Sequence, residues 1–206
     1  NLTKCLNKCL NKIRKIILYP HFFVSCGAIE IVHIMHVQIK REKKRDYEEV
    51  DLLLKIAFEQ ESVSKMVQEF RKTDHFIPEL SRVARINDQI IGIIMFSHAL
   101  IIKGKKSMKT ISLSPIAVLP AYQNLGIGGE LIRNSFTKAR KLGYESVFAL
   151  GNEDYYPRFG FTPASDFGIT NPFDVPNENF MAMEFIPESL TNFPGKIKYH
   201  PLFNDI

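Results

Sequence analysis

The sequence predicts a mixed α/β (α+β) domain with helices packed on a mostly antiparallel sheet. Three observations predict it. Apolar runs joined by short polar turns come first, as hairpins. A glycine-rich turn then opens an amphipathic helix, and a short buried strand follows that helix. Antiparallel hairpins followed by a strand–helix–strand crossover bury their apolar faces as a sheet with helices laid on it. The 206 residues, 45% of them hydrophobic, are enough for one ordinary domain and a tail.

Val37-Gln38-Ile39-Lys40 alternates and reads as a short first strand. Asp46 is placed to cap a helix running to about Phe58, with Val50, Leu53, Leu54, Ala57 and Phe58 on one face. Ser62 to about Lys72 repeats the pattern through Val63, Met66, Val67 and Phe70. Val83 to Ile86, the turn Asn87-Asp88-Gln89 and the long run Ile90 to Ile102 form a first hairpin. Gly104 marks the next, with Met108 to Val118 returning. A helix follows from about Gly128 to Leu142; Gly143 stops it, and Lys138, Arg140 and Lys141 suit its negative end. Ser146 to Leu150 is a buried strand, Asp154 to Phe159 a helical turn, and Phe161 begins another strand. Gly168 to Asn179 reads as loop, Phe180 to Phe185 as a strand, and Ile197 to Tyr199 as a small one.

Residues 1–36 differ from the rest. They hold Lys4, Lys8, Lys12, Arg14 and Lys15 against Glu30 alone, so little of the +5 formal charge belongs to residues 37–206. A basic footprint for nucleic acid is therefore weak. Residues 16–35 are apolar but broken by Pro20, His21, Glu30 and His33, which argues against a membrane span. The same interruptions disfavour a signal peptide ending at Val24-Ser25-Cys26-Gly27. We expect an N-terminal extension over 1–36, with a domain over 37–206 that starts naturally near Met35. Cys5, Cys9 and Cys26 form neither a disulfide framework nor a zinc spacing, so a cytoplasmic setting without a metal is expected.

The chemistry concentrates in Gln123-Asn124-Leu125-Gly126-Ile127-Gly128-Gly129, between a strand and a helix. Glycines there admit close backbone approach, and the first amides of the helix point at an anion. A Walker loop would need Gly-Lys-Ser/Thr where Gly128-Gly129-Glu130 stands. A dinucleotide fingerprint would need glycine at Leu131.

Gln-x-x-Gly-x-Gly after Ile116-Ala117-Val118-Leu119-Pro120 resembles motif A of the GNAT N-acetyltransferase superfamily. The block Leu150-Gly151-Asn152-Glu153-Asp154-Tyr155-Tyr156-Pro157-Arg158-Phe159-Gly160-Phe161 resembles its YhbS-like branch, as does Asn179 to Glu184. The resemblance spans about residues 37–206. It implies a central sheet, mostly antiparallel, with one splayed parallel pair. It also implies acetyl-CoA as co-substrate and direct transfer of acetyl to a primary amine, on a small molecule or a peptide. Ile116, Ala117 and Val118 would face the pantetheine arm, and the amides of Gln123 to Gly129 (Asn124, Leu125, Gly126, Ile127 and Gly128 between them) would hold the pyrophosphate. Asn152 would line the channel. Pro115 cannot donate to a ladder, so it marks either the bulge such folds carry or an ordinary edge irregularity.

An acid is needed at the leaving sulfur, and Tyr155 and Tyr156 are both candidates. The family register, five residues before Phe161, selects Tyr156. The resemblance implies a Glu on the central strands or a water chain as base; no carboxylate occupies Ser112-Leu113-Ser114-Pro115, and His98 on the long strand is a candidate for the role. The competing reading is a catalytically weak acyl-CoA sensor or interaction module. The partners expected are the amine acceptor and a second copy of the chain as a homodimer, with neither nucleic acid nor membrane.

Overall fold

The computed structural model describes residues 36–173 and 175–205. The expected extension, its basic and apolar stretches and the Met35 start lie outside the described residues, apart from His36. The described strands are β1 (Gln38–Arg41), β2 (Arg82–Ile86), β3 (Gln89–Lys103), β4 (Lys106–Val118), β5 (Ser146–Leu150), β6 (Thr162–Pro163), β7 (Ile169–Thr170), β8 (Phe180–Glu184) and β9 (Gly195–Lys198). The helices are α1 (Tyr47–Phe58), α2 (Ser62–Phe70) and α3 (Ile127–Lys141). None of the described helices is long and apolar enough to cross a membrane.

The strand order is β1-β2-β3-β4-β5-β8-β6, antiparallel throughout except for the parallel pair β4–β5. This is the mixed sheet the sequence predicts. β3 organises it. One edge pairs with β4 along its length, while the other pairs with β2 and then, at Leu100–Ile102, with β9. β7, two residues inside the expected Gly168–Asn179 loop, pairs in parallel with β9. Two residues are too few for alternation to reveal a strand.

Helices cover both faces, which explains why β3 reads as an almost unbroken apolar run. On one face, α3 buries Ile127, Leu131, Ile132 and Phe136 against Ile91, Ile94, Phe96 and Ile111. Opposite, α1 and α2 bury Val50, Leu54, Val67 and Phe70 against Val83, Ile90, Ile93 and Met95. Gly92 permits the α3 approach: a Cβ there would lie 3.2 Å from both the Ala117 carbonyl and Leu131 Cδ1. A third apolar group, including Phe148, Phe180, Leu190 and Ile197, closes the C-terminal half.

Asp46 occupies the cap position of α1, but its carboxylate turns away from the helix amides. It accepts from the Lys43 amide at 2.9 Å and pairs with Arg85 at 2.7 Å. The buried carboxylate thus serves a charge partner on β2 in place of the helix end.

Candidate active site

The site begins where β4 and β5 part. They pair in parallel at Ile111–Leu113 and Val147–Ala149 and no further. Along β3, Ile94 faces Ile116 and Phe96 faces Leu113, so β4 carries one extra residue around Ser114–Pro115. That is a β-bulge at the proline, and a bulge bends its strand. Past it, Ile116, Ala117 and Val118 stay on β3 while β5 ends at Leu150. Among the described residues, the edge of β4 over Ile116–Val118 has no strand partner toward β5.

A cleft of about 780 Å³ opens along this edge to the start of α3. Ile116, Ala117, Val118, Gln123, Asn124 and Gly126 line it, together with Ile127, Gly128, Gly129 and Asn152. Leu125 alone of the expected binding residues is not on its wall; it is 37% exposed. Gly126 starts the helix with φ 82°, a left-handed conformation that costs glycine nothing, and Asn124 has φ 62°. The amides of Ile127, Gly128 and Gly129, in the first turn of α3, have no acceptor within the helix, and no side chain among the described residues caps it. They lie on the cleft with the positive end of a 15-residue helix behind them. The Gln123 side chain ties the turn to β4 by donating to the Val118 carbonyl at 3.0 Å.

Sequence reasoning missed two cations here. Arg133 and Arg158 both line the cleft. Arg133 stands one turn beyond Gly129, a helical spacing that could have flagged it. Arg158 lies over the Tyr155 ring at 4.9 Å. The Tyr155 hydroxyl sits 2.6 Å from where a Cβ on Gly128 would be. Burial pushes the Tyr155 phenol up, with Arg158 and Arg133 pulling the other way.

Tyr156 lies deeper, at the junction with a second chamber of about 530 Å³, and lines both spaces. Its ring packs on Gly151, where a Cβ would lie 2.8 Å from Cε2, so only glycine fits beneath it. Gly151 is clamped in turn by Asn179: main-chain Gly151 N–H to Asn179 carbonyl at 2.9 Å, and Asn179 side-chain amide to Gly151 carbonyl at 2.9 Å. Tyr156 is 6% exposed, and burial, with Tyr155 adding, pushes its pKa up to about 12. Near neutral pH its hydroxyl is protonated. Both neighbouring tyrosines border the cleft, Tyr155 beside the helix start, and Tyr156 alone of the two also borders the second chamber.

His98 is not on the wall of either space. It pairs with Ile111, where β4 and β5 are still joined. Its Nδ1 lies 3.4 Å from the Tyr144 hydroxyl beyond the end of α3. Burial lowers its pKa, and His75 and Lys109 lower it further. The structure thus places the expected base, His98, opposite the paired part of β4 and apart from the residues that line the gap. No cluster of three or more His, Cys, Asp or Glu suited to a metal occurs among the described residues.

A family model described as the acetyltransferase (GNAT) family matches residues 46–161, more than half of the chain. YjhQ of Escherichia coli K12, named an uncharacterized N-acetyltransferase, is 38% identical over 125 residues, 60% of this chain and 67% of that protein. YhbS of the same strain, also named an uncharacterized N-acetyltransferase, is 28% identical over 156 residues, 75% of this chain and 91% of YhbS. The crystal structure of Escherichia coli YhbS with CoA superposes with a TM-score of 0.77 at 24% identity, covering 88% of this chain and 96% of YhbS. A GNAT acetyltransferase from Brucella melitensis, crystallised with acetyl-CoA, gives a TM-score of 0.66 at 30% identity, covering 82% and 99%. With the splayed β4–β5 pair, the glycine turn and the helix start all in place, the chain belongs to the GNAT family of N-acetyltransferases and is an acyltransferase.

Proposed function

We propose that this protein transfers acetyl from acetyl-CoA directly to a primary amine in the gap between β4 and β5. The observation carrying this reading is that the cleft and the second chamber meet at Tyr156. Donor and acceptor then approach one carbon from opposite sides, beside a protonated phenol.

The residues fit the donor. Uncapped amides of Ile127, Gly128 and Gly129 suit a pyrophosphate, and Gly128 leaves space that a Cβ would fill. Arg133 and Arg158 add positive charge at the same place. The open edge at Ile116–Val118 offers main-chain groups to an amide-bearing arm. Asn152 borders that path. The acetyl complex of the Brucella relative supports the same choice of donor.

Acetyl-CoA supplies an activated thioester carbonyl. Here the chain orients it, excludes water and supplies a proton. A main-chain N–H near Val118 holds the developing oxyanion. Tyr156 protonates the departing sulfur, with a phenol that burial keeps neutral. A C–N bond forms, the C–S bond breaks, and the nitrogen gives up one proton. The odd number of cysteines, Cys5, Cys9 and Cys26, supports a cytoplasmic enzyme.

The test is thiol release from acetyl-CoA with a panel of amines. Amine-dependent release, with the acetylated amine seen by mass spectrometry, is expected. Tight acetyl-CoA binding with no release across the panel would instead establish an acyl-CoA sensor.

A further inference from the structure

The second chamber lies across β4 from the helix start, and its lining is chemically one-sided. Phe58 from the end of α1 and Met66 from α2 form one wall. Phe173, Tyr199 and Phe203 form another. This second wall is continuous: Phe173 stacks on Tyr199 at 5.3 Å and 23°, and Tyr199 meets Phe203 at 5.4 Å. The polar side chains on its wall among the described residues, those of Ser112, Ser114, Tyr156 and Tyr199, all carry hydroxyls. No Asp, Glu, His, Lys or Arg lines it among the described residues.

Two physical consequences follow. An alkylammonium entering this space would lose its hydration shell without gaining a carboxylate partner, which is costly. It would also find no side chain suited to removing its extra proton, and only the neutral amine attacks a carbonyl. An amino group attached to an aromatic ring avoids both difficulties. Its nitrogen is already neutral near pH 7, and its flat body matches walls of stacked rings. The volume of about 530 Å³ suits a small ligand.

Resting on the acetyl-transfer reading above, we infer that the acceptor is a weakly basic primary aromatic amine, seated against the Phe173–Tyr199–Phe203 wall. The nitrogen attacks the thioester carbon, the C–N bond forms and the C–S bond breaks. Tyr156 gives its proton to the sulfur, and the proton shed by the nitrogen replaces it, so the phenol is restored. One group can serve both ends because Tyr156 borders both spaces.

The experiment compares aniline and p-anisidine with spermidine and Nα-acetyl-lysine at pH 7, using the full chain and acetyl-CoA. Arylamines should exceed the cationic amines in kcat/KM by about tenfold or more. Phe173→Ala and Phe203→Ala should each raise the arylamine KM about tenfold while leaving the acetyl-CoA Kd unchanged. Phe203 also packs on Phe70 at 4.9 Å, so Phe173→Ala guards against a folding defect. Ser114→Asp, which adds a carboxylate to the wall, should shift preference toward spermidine. Asp174, between two lining residues but outside the described ones, is covered by Asp174→Asn, which should leave the preference unchanged.

Release intact but favouring spermidine or Nα-acetyl-lysine overturns this inference alone. So does loss of arylamine turnover in Asp174→Asn. A preference for octanoyl-CoA over acetyl-CoA that Phe203→Ala removes also overturns it, by giving the chamber to an acyl chain. Absence of release with every amine overturns the transfer reading. Calorimetry with aniline and CoA then decides the chamber: binding weakened by Phe173→Ala supports the aromatic seat, and no binding refutes it.

Discussion

The hydroxyl of Tyr155 stands 2.6 Å from the point a Cβ on Gly128 would occupy. That spacing leaves no room for a methyl group. Gly128→Ala must push the phenol aside, against the helix start proposed to hold the pyrophosphate. The nearest ring carbon, Cζ, is 3.8 Å from the same point, an ordinary contact. Removing the hydroxyl therefore removes the conflict. Gly128→Ala should weaken acetyl-CoA binding about tenfold, or ~1.4 kcal/mol. Adding Tyr155→Phe should restore it to the level of Tyr155→Phe alone. Calorimetric titration of the four proteins checks this; full affinity in Gly128→Ala alone would mean the phenol yields freely.

Tyr156→Phe removes the proposed acid and keeps the ring over Gly151. We expect kcat to fall by about 10² or more with the acetyl-CoA Kd little changed. The pKa raised from 10.0 to about 12 has a consequence of definite sign. Folding disfavours the phenolate, so the stability of the neutral form is complete below pH 10 and declines as pH rises toward 12. A shift of this size corresponds to roughly 2 to 3 kcal/mol. Tyr156→Phe should lose correspondingly less stability than the parent between pH 10 and 12 in urea titrations. Equal losses in the two proteins would remove the burial argument for a protonated acid.

Arg133 and Arg158 make weak contacts of their own. Arg133 is 61% exposed and pairs with Glu130 at 3.1 Å, an exposed i,i+3 pair of small worth. Their free donors are therefore available to a polyanion. Arg133→Ala and Arg158→Ala should each raise the KM for acetyl-CoA severalfold, roughly 5- to 10-fold, with kcat unchanged. The effect should shrink as salt rises, since such exposed charges are screened. A fall in kcat at unchanged KM would place these residues at the reacting carbon instead.

The parts legible in the sequence are those whose signals are local. The turn from Gln123 to Gly129 and α3 were readable because glycine positions and helical periodicity lie within one stretch. The bulge at Pro115 was readable as one of two alternatives, since a proline inside a strand must break the ladder. The orientation of His98 was not readable, because β3 is buried on both faces and alternation there carries no facing information. The aromatic wall was equally hidden. Phe173 lies far along the chain from Tyr199 and Phe203, and none of the three stands in a long periodic run that would mark its facing. Only the fold brings them to one side of Ser114.

The ion network of Glu42, Asp51 and Arg71 belongs to that hidden class, its members being 20 and 29 residues from Arg71. Arg71 donates to Glu42 at 2.6 Å and to Asp51 at 2.8 Å, and the Ser81 hydroxyl donates to the other Glu42 oxygen at 2.6 Å. Arg71 follows α2, Asp51 lies on α1, Glu42 follows β1 and Ser81 precedes β2, so one guanidinium ties four segments. The side chains of Arg71 and Glu42 are 4% and 1% exposed. Arg71→Ala strands a buried carboxylate and should cost about 3 to 5 kcal/mol in urea unfolding. Adding Glu42→Gln should recover part of that loss, since the stranded charge is the main penalty. Arg71→Lys should not rescue, because one ammonium cannot fork to two carboxylates. The same helix carries Val63 and Met66 to the chamber wall, so Arg71→Ala should raise the amine KM at temperatures where the protein is still folded. An unchanged amine KM, alongside the stability loss, would show that α2 keeps its place without the network.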